Sequence, residues 1–159
     1  MPKADYTIHY DPIFEALQTI DVQALIDEVT DPWYNQTLIQ VGDVLVRLGV
    51  MQGEFHWHTH QDQDEFFFVL DGRFRIELQD AETVELGPRQ AFSVPAGMLH
   101  RPVAPVRTAV LMIEKAGVAP TGDEPWRSHS GWLGAGYQVC SAARTRSSLT
   151  ATRRGRVTI

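Results

Sequence analysis

The stretch Gly53-Glu-Phe-His-Trp-His-Thr-His-Gln-Asp-Gln-Asp-Glu65 sets three histidines at alternate positions and ends on a carboxylate, and Pro95-Ala-Gly-Met-Leu-His100 adds a further histidine after a turn. Residues two apart on a strand point to the same side. His56, His58 and His60 would then share one face, with Phe55, Trp57 and Thr59 on the other. Glu65 follows a short loop containing Asp62 and Asp64 and opens the next apolar run. An antiparallel neighbour about 4.8 Å away would bring its carboxylate beside the two later imidazoles. Together the two stretches read as a metal site inside a β-barrel.

Outward from this stretch the chain has the period of strands. Val44, Val46, Leu48 and Val50 alternate with Leu45, Arg47 and Gly49, the pattern of a strand with one well-buried face. Glu65 to Leu70 is nearly all aromatic and aliphatic, so both its faces are expected to be covered, and Asp71-Gly72 signals a hairpin into Arg73 to Leu78. Val84 and Leu86, Ala91 to Val94, Leu99 to Val103 and Thr108 to Ile113 complete a set of short strands separated by Gly, Pro and Asp turns. Such spacing predicts an all-β barrel or sandwich.

Upstream the period is helical. Asp11-Pro12 before Ile13, Phe14 and Leu17 has the layout of a helix start, and Asp21 can cap a second segment with Val22, Leu25, Ile26 and Val29 on one stripe. Thr30-Asp-Pro-Trp33 ends it. The expected organisation is an N-terminal helical segment over 1–37 packed on the barrel, a barrel over 38–113, and a loosely ordered extension over 114–159.

Composition narrows the chemistry. The 159 residues contain one cysteine, Cys140, which rules out an intrachain disulfide and a zinc site built on several thiolates. Any metal must be held by histidine and carboxylate. Residues 1–126 hold all 20 acids against 8 bases, whereas residues 127–159 hold 6 arginines and no acid. An acidic body argues against nucleic acid as the main partner. The arginine-bearing end reads first as a solvated tail, then as a segment docked on the acidic body, and last as a weak nucleic-acid binder. No apolar run long enough to span a membrane and no secretory layout is present, so the expected address is cytoplasmic.

The spacing of the two histidine stretches resembles the cupin family. His58-Thr-His60, four residues, Glu65, six residues and Gly72 reproduce that family's first motif; Gly87, seven residues, Pro95-x-Gly97, two residues and His100 are similar to its second. Two positions depart from the pattern: Ala104 replaces the asparagine common at the end of the second motif, and His56 is additional to the first. The likeness is to the small single-domain cupins whose barrel follows a short helical segment, some of them described as mannose-6-phosphate isomerase-like. It implies a double-stranded β-helix, or jelly-roll barrel, with His58, His60, Glu65 and His100 as ligands of one divalent transition metal. Iron, manganese, nickel, copper or zinc would suit three imidazoles and a carboxylate. The likeness also implies a homodimer formed through edge strands.

The first functional expectation is a metal-dependent enzyme acting on a small organic molecule, with isomerase, dioxygenase and decarboxylase chemistry all compatible with the ligand set. His56 is the candidate for proton transfer, because an unperturbed imidazole titrates near 6.5. The alternative is a non-catalytic module that binds or senses a small ligand at the same metal. Phe67, Val69, Phe74, Ile76, Phe92, Met98 and Met112 are expected in the core.

Overall fold

A computed structural model describes residues 6–117 and 119–122. All of them fall in the first of two compact units, residues 1–127. The arginine-bearing stretch lies outside the described residues. In chain order the elements are β1 (Thr7–His9), α1 (Val22–Glu28), β2 (Trp33–Val41), β3 (Val44–Glu54), β4 (Glu65–Asp71), β5 (Phe74–Leu78), β6 (Val84–Leu86), β7 (Ala91–Val94) and β8 (His100–Lys115). The protein is all-β, as the turn spacing predicts, and its barrel strands extend from Trp33 to Lys115, a little beyond 38–113 on both sides. Among the described residues no helix is long and apolar enough to cross a membrane.

The longest strand, β8, changes partners along its length. Its first four residues pair with β5, from Leu78↔His100 to Arg75↔Val103, and its last pair with β4, from Phe66↔Ile113 to Asp71↔Ala109. β3 lies along its other edge from Val44↔Lys115 to Glu54↔Val103. The register shifts between Met51 and Gly53 mark the switch: the exposed residues Pro105, Val106 and Arg107 form extra length on β8. A strand shared by two sheets in this way closes a jelly roll. One side runs β1-β2-β3-β8-β4-β7, and β5 carries β6 on the other.

Two apolar layers follow. Inside the barrel, Trp33, Met51, Phe55, Phe67, Val69, Phe74, Ile76 and Met112 form the main core, with Phe92 and Met98 packed at its edge. Outside, Leu38, Leu48, Val50 and Ala109 are covered by Phe14, Ile20, Val22, Leu25, Ile26 and Val29. The apolar face of β3 thus lies under the N-terminal segment. Its inner face is Leu45, Arg47, Gly49 and Met51, every one of them buried. The expectation of a single buried face on β3 is corrected: both are covered.

α1 forms where its stripe predicts. The Asp21 carboxylate accepts from the Ala24 amide at 3.0 Å, and at the other end Arg107 donates to the carbonyls of Ile26 and Val29, both at 2.9 Å. The first expected helix, on Ile13, Phe14 and Leu17, is absent. The amides of Ile13 and Phe14 bond instead to the Leu38 carbonyl at 3.2 and 2.9 Å, and Leu17 takes a φ of 70°. A segment this short bears the whole nucleation cost of a helix for few bonds, so an external acceptor wins. β1, which runs parallel to β2, is too short to show a period in the sequence.

Candidate metal centre

The second-motif turn and the first-motif histidines are stitched together by backbone bonds. His58 and His100 exchange amide and carbonyl, each at 3.0 Å, and the Gly97 amide donates to the His60 carbonyl at 2.7 Å. Gly97 has a φ of 77°, a conformation glycine adopts without strain. Asp64 reaches back to accept from the Ala96 amide at 2.9 Å, so this acid braces the turn.

Phe55 to His60 is not a strand with regular alternation, which corrects the expected facing. β3 ends at Glu54↔Val103, and the next pairing is the single bridge His58↔His100. One chain advances four residues while its partner advances three, so a residue is bulged out and the inward phase slips by one. Phe55, His58 and His60 therefore all go inward and are buried. His56 is left half-buried, and its Nε2–H donates to the Thr121 carbonyl at 2.8 Å.

The structure brings the four residues of the two motifs together. From Glu65 Oε2 the distances to Nε2 are 3.0 Å for His100, 3.4 Å for His60 and 3.8 Å for His58. Each of the four is less than 5% exposed. Two of the rings are fixed from behind: His58 Nδ1–H donates to the His56 carbonyl at 3.1 Å and His100 Nδ1–H to the Met98 carbonyl at 2.9 Å. A carbonyl can only accept, so both protons sit on Nδ1 and a neutral ring turns its Nε2 lone pair towards Glu65. His58 Nε2 has no hydrogen-bond partner among the described residues. Burial would raise the Glu65 carboxyl, but once the imidazoles carry a proton on Nε2 their hydrogen bonds outweigh that and hold it well below the usual carboxylate range. Burial lowers His58, against the opposing pull of Glu65.

Four buried polar residues behind this cluster were hidden in the sequence. Glu114, near the end of β8, lies with Arg47 Nε 3.3 Å from its Oε1, and Arg47 in turn donates to Asn35 Oδ1 at 2.8 Å. Burial pushes the Glu114 carboxyl up to about 7, with Glu65 adding to the rise and Arg47 opposing it. Gln63 is also buried and accepts from the Lys115 amide at 2.6 Å. The available signal was the inward series Val110, Met112, Glu114 on β8, which carries a charge inward at its third member. A mostly apolar cavity adjoins the cluster, lined by Trp33, Phe55, Phe67, Phe74 and Met112 with Pro120 at one side.

Pro120 belongs to a short run after β8 that lies against the histidines. A Cβ on Gly122, whose φ is 91°, would stand 2.7 Å from the His58 Cβ. With the Thr121 carbonyl on His56, this run is pinned at two points.

Comparison with known proteins fits this geometry. Residues 44–114 match the family described as "Cupin domain". The uncharacterized protein YdbB of Bacillus subtilis (strain 168) is 40% identical over 91 residues, which are 57% of this chain and 80% of that protein. Among solved structures, a cupin-2 domain containing protein from Shewanella frigidimarina superposes with a TM-score of 0.58 at 27% identity, covering 61% of this chain and 94% of the other. Protein NMB1881 from Neisseria meningitidis shares the fold at a TM-score of 0.57 and 21% identity, covering 62% and 100%.

Proposed function

The chain belongs to the cupin family, and from that premise we propose that it binds one divalent transition metal through His58, His60, Glu65 and His100 and acts on a small organic molecule beside it. The observation that carries this reading is the direction of the imidazoles. With their Nδ1 protons committed to backbone carbonyls, neutral His58 and His100 rings would point lone pairs at a carboxylate oxygen, an arrangement that repels unless a proton or a metal cation lies between them. Backbone-braced rings of this kind are the usual way a protein presents imidazole to a metal.

A bound divalent ion would supply Lewis acidity, and a redox-active one would add electron transfer. The chain's own contribution is positional. The apolar wall of Trp33, Phe55, Phe67 and Phe74 excludes water and favours a small, largely apolar substrate body. His56 stands at the side of the site, and its Nε2 proton becomes available to a substrate when the Thr121 contact opens. Homodimer formation belongs to the same proposal, because among the described residues β1 and β7 end the sheet with unpaired edges.

Protein purified without a His tag and without chelator should contain close to one equivalent of a transition metal, and His58→Ala should lose it. Well under one equivalent, with none regained on dialysis, overturns the reading. Turnover of a screened small molecule by metal-replete protein, abolished in His58→Ala, supports enzymatic action; tight binding without turnover favours a sensing module.

A further inference from the structure

Glu114 stands inside the barrel with an exposed fraction of 1% for its side chain. A buried carboxylate ordinarily collects N–H donors. Neither oxygen of Glu114 has a hydrogen-bond partner among the described residues. Arg47 lies 3.3 Å away, yet its Nε–H is given to Asn35, so the contact offers charge without a directed bond. On its other side, one Glu114 oxygen, one His60 nitrogen and one Glu65 oxygen all lie within 4.8 Å of one another. Donors bound at about 2.0–2.2 Å to a common ion are separated by roughly this much or less.

That triple shares only Glu65 with the triple His58, Glu65 and His100. The two sets meet at the Glu65 carboxylate, and His60 and Glu114 complete the second. We propose that Glu114 is a further ligand group of the metal centre, so that the protein offers three imidazoles and two carboxylates; this rests on the metal reading above. The added oxygen donor moves the preference towards harder ions such as manganese(II) and iron(II) and away from copper(I). A six-coordinate ion held by five protein groups retains one open position, which suits a substrate bound through a single atom. Arg47 offsets part of the second negative charge, leaving the two carboxylates and the guanidinium at a net charge that one dication reverses.

The competing role for Glu114 is as counter-ion to Arg47 alone. Cobalt(II) titration of the full-length protein separates the two, because cobalt absorbance in the visible reports the number and type of donors. Wild type is expected to take up one equivalent. Glu114→Gln should weaken cobalt binding by about 10- to 100-fold and change the spectrum to that of a centre with fewer donors. Arg47→Met keeps the carboxylate and should keep the wild-type spectrum. Should Glu114→Gln fail to fold, Glu114→Asp serves, its shortened carboxylate being expected to shift the cobalt bands. Wild-type affinity and an unchanged spectrum in either Glu114 variant overturn the proposal, as does an Arg47→Met protein that reproduces the Glu114→Gln change. Those results leave the four-residue site standing, whereas absence of cobalt uptake by wild type removes both.

Discussion

Nε2 of His100 lies 3.0 Å from Oε2 of Glu65 while the proton on its Nδ1 is held by the Met98 carbonyl. The pair is attractive only with positive charge on the ring or between the two. Protons and a metal ion therefore compete for the same space, and the competition sets how the centre responds to acid.

Metal occupancy is expected to fall as pH drops through roughly 6 to 5, since protons compete with the ion for three ring nitrogens at once and a free imidazole has a reference pKa of about 6.5. Burial lowers His58, which moves its share of the loss to the acid side. Metal content after gel filtration across a pH series checks this. Full occupancy at pH 4 contradicts a three-histidine site.

Glu114 gives the metal-free protein an opposite dependence. Its folded pKa, about 7 against 4.5, is raised, so the folded state holds the proton more tightly and the contribution is complete below pH 4.5. It is lost as pH rises through about 7. Wild type should therefore lose about 3 kcal/mol relative to Glu114→Gln between these limits, from 1.36 kcal/mol per unit of pKa. Groups that do not interact with Glu114 are common to both proteins and cancel in the difference. Guanidinium melts with chelator present, at pH 4.5 and pH 8, give the number; parallel curves would sink the assignment.

The expected hairpin at Asp71-Gly72 is corrected: β4 and β5 pair with different stretches of β8 rather than with each other. Gly72, with a φ of 88°, makes the turn between them. An added Cβ would stand 2.5 Å from Thr108 Oγ1 and 2.6 Å from the Arg107 carbonyl. Thr108 cannot retreat cheaply, because its hydroxyl donates to the Arg73 carbonyl at 2.7 Å and accepts from the Arg73 amide at 3.1 Å. Gly72→Ala should cost about 2–4 kcal/mol by combining backbone strain with a steric clash. A change under 0.5 kcal/mol in denaturant unfolding would show that the turn relaxes freely.

Asp21→Ala removes the cap of α1 and should destabilise the protein by about 1 kcal/mol. The effect reaches the barrel because Val22, Leu25, Ile26 and Val29 cover Leu48 and Val50. Hydrogen exchange should speed up in α1 first. Protection in β5, whose Phe74 and Ile76 belong to the barrel core, should change least.

The four clustered residues were legible from sequence because histidine is rare and the spacings are short-range facts. His58, His60 and Glu65 lie within eight positions, and the turn before His100 declares itself by proline and glycine. Alternation in β3 separates two faces, but it does not say which one turns inward. Arg47 therefore reads as a solvent residue, although it is 1% exposed. Glu114 is hidden for another reason: the apolar alternation fades after Ile113 and puts it beyond the barrel, whereas β8 runs on to Lys115. The bulge that puts Phe55 in phase with His58 is a property of the pairing of two strands, so neither strand alone records it. At Ile13 and Phe14 the decisive partner is Leu38, twenty-four residues away from the nearer amide by way of α1 and β2, well outside a local window.

β8 pairs with β3, β4 and β5. A chain emerging from the ribosome cannot finish any of those pairings until the residues from His100 to Lys115 have been made. Closure is thus postponed to the end of the barrel's synthesis, a topology of long sequence separations that slows folding. Until then β3 and β4 present apolar edges that must be kept from other chains. His100, the first residue of the strand that locks the barrel, is also the last histidine of the cluster to be synthesised, so the centre is completed only as the fold is.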